Sequence, residues 1–411
     1  MSTPHHPAPA AHGAPLLEET SLPGLAAGPG RLGLLAGAAG LGVWLVMALA
    51  LPRHAFQGYL VAYVFFVGLG VGSLATLLLH LLVGGAWGFA VRRPLEAATA
   101  TLPVMALLFL PLLLGMGQLY EWSVPAAVRG SHVLKLKAGY LNVPFWLGRA
   151  ALYLALWNAL AFLFRRGSVA QDATEDPGPT RRNQAIAAPG LIVIFLTVTF
   201  AAIDWMMSID PDWYSTIYGV LTLVSWSLSG LCVAVLVASR LTRFRAYAEV
   251  ATPVAFNDLG NLMLAFTMLW AYMSFSQYLI IWSGNLAEEV PWYLDRSAGA
   301  WRYVALSLML FHFFVPFFCL LVRENKRQPE RLWRIAAAIL VMHFVNDVWL
   351  ILPAFPGGQA LKVLALVPAT LGVGGVWVAL YARSLAGRPL VPRHDPLLAD
   401  VLEHAHHGGG H

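Results

Sequence analysis

Long apolar stretches recur along the chain and are separated by short segments that carry most of the charge. Each stretch holds about twenty mainly apolar residues, which is the length that a helix needs to cross a bilayer. The pattern predicts an all-α integral membrane protein with about ten transmembrane helices. The predicted spans are residues 31–51, 57–82, 96–115, 144–164, 186–207, 215–239, 256–282, 300–322, 332–352 and 361–385.

Composition and loop charge support this class and suggest an orientation. The chain is 58% hydrophobic and 11% charged, whereas soluble domains have about 25% charged residues. Most of the 26 Lys and Arg residues lie after even-numbered spans or near the termini, so we expect both termini to be cytoplasmic. The net charge of +5 therefore does not imply a nucleic-acid partner. Residues 1–30 and the His-rich residues 386–411 are predicted as cytoplasmic tails of a membrane domain at 31–385.

Spans 2 to 5 resemble spans 6 to 9. The third member of each set begins with an arginine, Arg149 or Arg302, and the fourth carries an aspartate, Asp204 or Asp347. An even number of spans separates the copies, so the repeats would be parallel. The sequence thus predicts two parallel four-helix bundles flanked by spans 1 and 10. The predicted repeats comprise about residues 57–207 and 215–352.

Asp204 and Asp347 are the most informative polar residues, because each interrupts an apolar span near its outer end. An acidic side chain at mid-bilayer costs roughly 2.5 kcal/mol or more, so such residues usually face the bundle interior and have a function. His343 lies four residues before Asp347, hence on the same helix face. An imidazole and a carboxylate in this arrangement can exchange a proton. Asp204, His343 and Asp347 are therefore candidates for proton transfer.

Three further residues extend a candidate proton path towards the cytoplasm. His312 is predicted near mid-membrane in span 8. Asp258 and Glu96 are predicted near the cytoplasmic ends of spans 7 and 3, where they would form an entrance.

Two other interpretations use some of the same residues. Gln277, Tyr278, Arg149 and Arg302 are candidates for contact with a quinol head group, because its hydroxyls need acceptors and its oxidation needs a base. Alternatively, Asp–Arg pairs and glutamine simply hold the helices together, as polar residues in membranes often do.

The sequence gives little support for a bound redox centre. Cys232 and Cys319 both lie in apolar runs, and the chain contains neither CxxC nor CxxCH, which disfavours iron–sulfur ligation and covalent haem attachment. His312 and His343 could ligate a b-type haem, but single interior histidines are usually hydrogen-bonded instead. We expect no directly bound cofactor and no metal site.

Two long segments carry a resemblance to a known family. TFAAIDWMMSIDPDWYSTIYG (Thr199–Gly219) and LWAYMSFSQYLIIWSGNLAEEVPWYLDR (Leu269–Arg296) resemble signature segments of the F-type subunit of bacterial alternative complex III, a quinol:cytochrome c oxidoreductase. The resemblance covers roughly spans 2 to 10, and the wider relatives are polysulfide-reductase-type membrane anchors.

This resemblance implies a ten-span subunit of the bacterial inner membrane without haem or iron–sulfur cofactor. The implied partners are a homologous membrane subunit that holds a quinol site, periplasmic multihaem cytochrome and iron–sulfur subunits, and membrane lipid. The family label implies quinone binding, whereas the residues alone favour proton transfer. A stand-alone proton-coupled transporter and a purely structural membrane anchor stay open as alternative functions.

The predicted outer loops combine aromatic with acidic residues, which is typical of a protein interface and also of an interfacial aromatic belt. The docking surface predicted from them contains Trp205, Trp213, Tyr214, Trp292 and Tyr293 beside Asp210, Asp212, Glu288, Glu289 and Asp295.

Overall fold

The computed structural model describes residues 23–392, 394–396 and 398, and within them every regular element is a helix. Ten helices are long and apolar enough to cross a membrane, which confirms the predicted fold class. Most of the two predicted tails lies outside the described residues. The spans are Ala27–Ala50, Pro52–Val83, Ala86–Leu114, Val143–Asp172, Gly178–Ile209, Tyr218–Leu241, Pro253–Gly284, Trp301–Leu321, Pro329–Ala354 and Gln359–Ala386.

Several spans are interrupted, and short helices connect others. Span 3 is divided into Ala86–Thr99, Leu102–Leu107 and Leu110–Leu114, and span 8 contains a π-helical segment at Leu308–Phe314. Spans 5 and 9 each end in a 3₁₀ turn, Met207–Ile209 and Leu352–Ala354. The short helices outside the spans are Met116–Leu119, Glu121–Ser123, Pro125–Gly130, His132–Lys137, Arg245–Ala248, Val290–Ser297 and Arg323–Arg327.

Spans 3 and 4 are longer than predicted. Span 3 begins at Ala86 rather than at residue 96, and span 4 continues to Asp172 rather than ending at residue 164. The prediction was wrong because it ended each span at an arginine pair. Arg92 and Arg93 are nevertheless buried, since carboxylates neutralise both side chains.

The centre of the molecule is the contact between spans 2 and 6, whose most apolar windows are each 78% buried. Glycine permits this close approach: a side chain at Gly72 would collide with the backbone of Trp226, and one at Gly230 with the backbone of Ser73. Small residues at helix contacts are typical of membrane proteins, because association there depends on close packing.

Two groups of four spans surround this contact. Spans 2 to 5 contact one another and form the first bundle; spans 6 to 9 do the same and form the second bundle. Span 1 packs along span 10, and span 10 against span 2. That the two bundles are copies of one repeat stays a prediction.

The two ends of the bundles differ chemically. The connections after spans 3, 5 and 7 meet at one end, where Trp122 donates to the Ser208 carbonyl and Trp213 stacks on Trp292. We call this the aromatic end. Arg92, Arg93 and Arg388 mark the opposite end, which we call the arginine end. The side of the membrane that each end faces stays a prediction.

Candidate functional site

Asp204 lies in the last turn of span 5, where its carboxylate is fully engaged by span 4. Arg149 donates from Nη2 to Oδ1 and from Nε to Oδ2, both at 2.8 Å. The hydroxyl of Tyr153 donates to Oδ2, also at 2.8 Å. Arg149 and Tyr153 are four residues apart and therefore reach the carboxylate from one helix face. Asp204 is 0% exposed, so it and Arg149 form an ion pair whose carboxylate is closed off from solvent.

Neighbouring residues hold both members of the Arg149–Asp204 pair in place. The guanidinium of Arg149 lies 3.8 Å from the ring centroid of Tyr140 and donates to the Tyr140 carbonyl. The backbone carbonyl of Asp204 accepts from Trp146 Nε1 and from the Ser208 hydroxyl. Each nitrogen of the Arg149 guanidinium and each oxygen of the Asp204 carboxylate has a defined partner, which is the arrangement expected of a structural contact.

Asp347 lies in span 9 of the second bundle and has different surroundings. Its side chain is buried, and its Oδ2 makes no hydrogen bond within the described part of the protein. The nearest basic atom is Nε2 of His343, one turn earlier on the same face, at 3.6 Å. This separation exceeds a hydrogen-bond distance. The two side chains are therefore adjacent without being bonded.

His312, in span 8, lies next to His343. Its ring centroid is 6.3 Å from that of His343 and 4.2 Å from that of Trp270 in span 7. It lies in the π-helical segment of span 8, and such segments occur frequently at functional sites. Both histidines are 1% exposed. Spans 7, 8 and 9 thus enclose a row of ionisable groups, His312, His343 and Asp347, which we call the His–His–Asp row.

The polar atoms of this row make no hydrogen bonds to the described residues. Both ring nitrogens of His312 and of His343 are buried without a protein partner, as is Asp347 Oδ2. Trp270 Nε1 and Thr267 Oγ1, on neighbouring turns of span 7, are also buried without a hydrogen-bond partner. Buried polar groups are usually paired, so a group of unpaired ones indicates a site that does more than hold helices together.

An aromatic lid covers the row at the aromatic end. Trp292 stacks on Trp213 with ring centroids 4.3 Å apart, and its ring meets Trp349 edge-on at 5.7 Å. The guanidinium of Arg296 lies 3.7 Å from the ring centroid of Trp292 and donates to the Leu350 carbonyl at 2.7 Å. These contacts attach the Val290–Ser297 helix to span 9 within one turn of Asp347.

Arg296 brings a buried positive charge to this lid. Burial lowers the pKa of Arg296 to about 10, and the nearby Tyr218 and Asp210 oppose that shift. Because this value is well above neutrality, the side chain stays charged at pH 7. Tyr218, which is buried, is close enough to both Arg296 and Asp347 to interact electrostatically with each.

Glu96, a candidate for the proton entrance, lies at the arginine end in a saturated network. Its carboxylate is paired with Arg93 at 2.7 Å, with Arg388 at 2.9 Å and with Arg92 at 3.3 Å. The Ser168 hydroxyl donates to its Oε1 at 2.7 Å. With three positive partners and a hydroxyl donor, this carboxylate is poorly suited to accept a proton.

Two further carboxylates complete this network. Asp172 binds Arg93 with both oxygens, and Asp395 binds Arg92 at 2.5 Å. Gln171 donates to the His394 carbonyl. These contacts join span 3, span 4 and the segment after span 10, so the network holds the arginine end together.

Asp258, the other entrance candidate, is half-buried near the start of span 7 and forms no ion pair among the described residues. Trp270, which contacts His312, follows it by twelve residues. At the rise of an α-helix this places Asp258 about 18 Å from the level of the His–His–Asp row.

The four residues proposed to contact a quinol are not gathered in one place. Arg149 is engaged by Asp204 in the first bundle. Gln277 accepts from Ser215 at 2.8 Å and donates to the Tyr293 hydroxyl at 3.2 Å. Arg302 and Tyr278 are both exposed, at the two ends of the connection after span 7. Tyr278 is 44% exposed, and its ring meets that of Tyr293 edge-on.

A groove of about 250 Å³ opens at the aromatic end beside the Asp204 pair. Its walls include Tyr140, Met207 and Trp213. Its lining is mainly apolar, and none of the four predicted quinol contacts borders it.

The predicted docking surface is wrong for three of its tryptophans. Trp205, Trp213 and Trp292 are at most 3% exposed, because they form internal aromatic contacts rather than outward ones. Tyr214 is 52% exposed and is available at the surface.

Sequence reasoning missed several residues of these sites. Tyr153 carried a usable signal, since it follows Arg149 by four residues. Arg296 was not among the candidate site residues, although it is one of the largest fully buried side chains. Trp270 and Thr267 gave no signal, because an apolar span contains many such residues and only the fold selects these two.

The fold and this site define a multi-pass, all-α membrane protein with a buried row of ionisable groups in its second bundle. Comparison of the chain with protein-family models and with curated proteins gives no match.

Proposed function

We propose that this chain is a membrane subunit that transfers protons through its second bundle by way of His312, His343 and Asp347. One observation carries the proposal: these side chains are buried next to one another, and their ring nitrogens and Asp347 Oδ2 have no hydrogen-bond partner among the described residues. Buried polar groups need hydrogen bonds, which water supplies where protein does not. Imidazole, carboxylate and water together make a chain along which a proton can move.

The distances suit short proton transfers. His343 and Asp347 are separated by 3.6 Å, which a small rotation of either side chain would close to a hydrogen bond. The centroids of His312 and His343 are 6.3 Å apart, and in our proposal one water bridges their ring nitrogens. Each imidazole can accept a proton at one nitrogen and release one from the other.

Asp204 does not share this role in our proposal. Both oxygens of its carboxylate already accept charged hydrogen bonds from Arg149. Removing one partner of such a buried pair costs about 3–5 kcal/mol. A group that must change its charge during turnover is unsuited to such a site.

Asp258 is the entrance that we favour over Glu96. Its carboxylate is half-buried and forms no ion pair in the described part of the chain, whereas Glu96 is held by three arginines. At the other end, Tyr218 is the candidate to continue the path, because it interacts electrostatically with both Asp347 and Arg296. The fixed charge of Arg296 makes the lid unfavourable for other cations.

The resemblance of the sequence to the F-type subunit of alternative complex III suggests where this proton transfer takes place. We propose on that basis that the chain is a subunit of a quinol:cytochrome c, or high-potential acceptor, oxidoreductase in the bacterial inner membrane. Its partners are a homologous quinol-binding membrane subunit and periplasmic multihaem cytochrome and iron–sulfur subunits, which carry the electrons. Contact of this chain with quinone is a weaker part of the proposal, because Gln277 and Arg149 are already engaged by protein.

The test is the Asp347→Asn substitution in the assembled complex, reconstituted in liposomes. Asparagine keeps the shape of the side chain but cannot carry the proton. Loss of a positioned proton-transfer group typically lowers a rate about 10²-fold or more. We therefore expect quinol-driven proton release to fall by about that factor while the amount of assembled complex stays the same.

Asp204→Asn is the matched control. We expect it to reduce the yield of complex and to leave proton release per turnover unchanged in the complex that does assemble. Full turnover and unchanged proton release in Asp347→Asn would contradict the proposal and favour a structural anchor. Proton movement by the isolated chain without any redox reaction would favour the transporter alternative.

A further inference from the structure

A groove on the lipid-facing side of the first bundle has the character of a binding site for a charged, chain-bearing molecule. It has a volume of about 410 Å³ and lies between spans 3 and 4 at the arginine end. Three arginines line it, Arg165 and Arg166 from span 4 and Arg388 from the segment after span 10. Its other walls include Pro103 and Phe162.

The positive charge of this groove is only partly neutralised. Arg388 is paired with Glu96. Arg165 and Arg166 form no ion pair among the described residues, and Arg165 Nε is buried without a hydrogen-bond partner. None of the nine lining residues is acidic. Arg165 also lies close to Arg388, so the groove brings together like charges that an anion would relieve.

Apart from Asn158, the rest of the groove is mainly apolar and runs along span 4. Phe162 is 62% and Val169 50% exposed, so both present apolar surface along the outer face of span 4. Asn158 lines the groove two turns deeper than Arg165, about 10 Å along the helix. Its Nδ2 donates one hydrogen to the Leu154 carbonyl, which leaves the second hydrogen for another acceptor.

We infer that this groove binds an anionic diacyl phospholipid. The phosphate lies against Arg165 and Arg166, the ester oxygens lie near Asn158, and an acyl chain packs on Phe162. Guanidinium groups match phosphate geometry, and basic pockets between membrane helices are suited to anionic head groups. A free phosphate ion would use the arginines alone and leave the apolar wall and Asn158 without a role.

The experiment uses the full chain, purified in mild detergent and stripped of lipid. Phosphatidylglycerol, phosphatidylcholine and inorganic phosphate are titrated separately while the melting temperature is followed. We expect phosphatidylglycerol to raise the melting temperature and the other two to have little effect. Neutralising two surface-near arginines in Arg165→Gln/Arg166→Gln should weaken the phosphatidylglycerol response about 30-fold in apparent affinity.

Arg181→Gln/Arg182→Gln is the matched control, because it removes an adjacent, exposed arginine pair outside the groove at the same end of the protein. An equal loss in this control would overturn the site and leave only general attraction to negative charge. A full response to inorganic phosphate would overturn the lipid and favour a free anion.

A second measurement does not depend on the folding of a variant. A phosphatidylglycerol analogue with a photoreactive group on its acyl chain is cross-linked to the wild-type chain in vesicles. Labelling concentrated in residues 158–169 supports the inference, and labelling spread evenly over the spans overturns it.

Discussion

Asp204 and Asp347 are both buried aspartates near the aromatic end of the protein, yet their surroundings are opposite. The Asp204 carboxylate receives three hydrogen bonds from Arg149 and Tyr153, each 2.8 Å long. Oδ2 of Asp347 receives none from the described residues and faces a histidine at 3.6 Å. Burial alone therefore does not identify a functional acid. The partner decides, because a paired carboxylate is held by fixed hydrogen bonds while an unpaired one is free to bind another group.

Two further pairs of residues, one member in each bundle, repeat this difference. Arg149 is drawn into the first bundle by its aspartate, whereas Arg302, which the sequence aligns with it, is exposed and contacts Tyr303. Trp157 in the first bundle donates to Thr197 at 2.8 Å, while the indole of Trp270 in the second lacks a protein acceptor in the described chain. At these positions the first bundle has the character of a scaffold and the second that of a site.

The largest expected difference in stability is the one between variants of Arg149 and of Arg302. Arg149→Gln leaves the Asp204 carboxylate buried without a cation, so we expect it to lower the free energy of unfolding by about 3–5 kcal/mol. Arg302→Gln removes an exposed arginine and should change it by less than about 0.5 kcal/mol. Denaturant titration in mixed micelles measures both. Equal effects would remove the difference between the bundles.

The aspartates themselves sharpen the comparison. Asp347→Leu replaces an unpaired buried acid with an apolar side chain of the same branching. We expect the free energy of unfolding to stay constant or to rise by about 1–3 kcal/mol, since the desolvation penalty of the acid disappears. Asp204→Leu should be strongly destabilising, because it leaves Arg149 unpaired. If Asp347→Leu is as damaging as Asp204→Leu, Asp347 has a structural partner that contradicts our account.

The smallest effect is expected at the tryptophans. Trp157→Phe removes the hydrogen bond to Thr197 and leaves its hydroxyl without that donor, which should cost about 1 kcal/mol beyond the change in size. Trp270→Phe makes the same change in size but removes an N–H group without a protein acceptor. The difference between the two variants in the same titration isolates the hydrogen bond. A larger loss in Trp270→Phe would be the contrary result.

The fold could be predicted from the sequence because a membrane span is recognisable from a continuous stretch of residues. Its length and apolar composition are local properties, and all ten predicted spans correspond to helices that are long and apolar enough to cross a membrane. The ends of spans 3 and 4 could not be predicted in this way. They depend on Arg93 being neutralised by Asp172, a residue 79 positions away.

The site could be predicted only in part. The spacing of His343 and Asp347 shows that they share a helix face, and the structure places them side by side. The sequence analysis gave Asp204 and Asp347 the same role. The difference between them is Arg149, which binds Asp204 from another helix and could not be paired with it from the sequence. Arg296 lay in a segment that read as an exposed loop, and its burial depends on Trp292 and Leu350 packing against it. Such contacts exist only after folding.

Infrared spectroscopy of the carboxyl groups tests the central claim most directly, because a protonated carboxyl group has a C=O stretching band of its own. Difference spectra of the purified chain between acidic and alkaline conditions are compared for wild type, Asp347→Asn and Asp204→Asn. We predict a protonated carboxyl band that Asp347→Asn removes and Asp204→Asn leaves in place. A band that persists in Asp347→Asn, or one that disappears in Asp204→Asn, would contradict the assignment of the two acids.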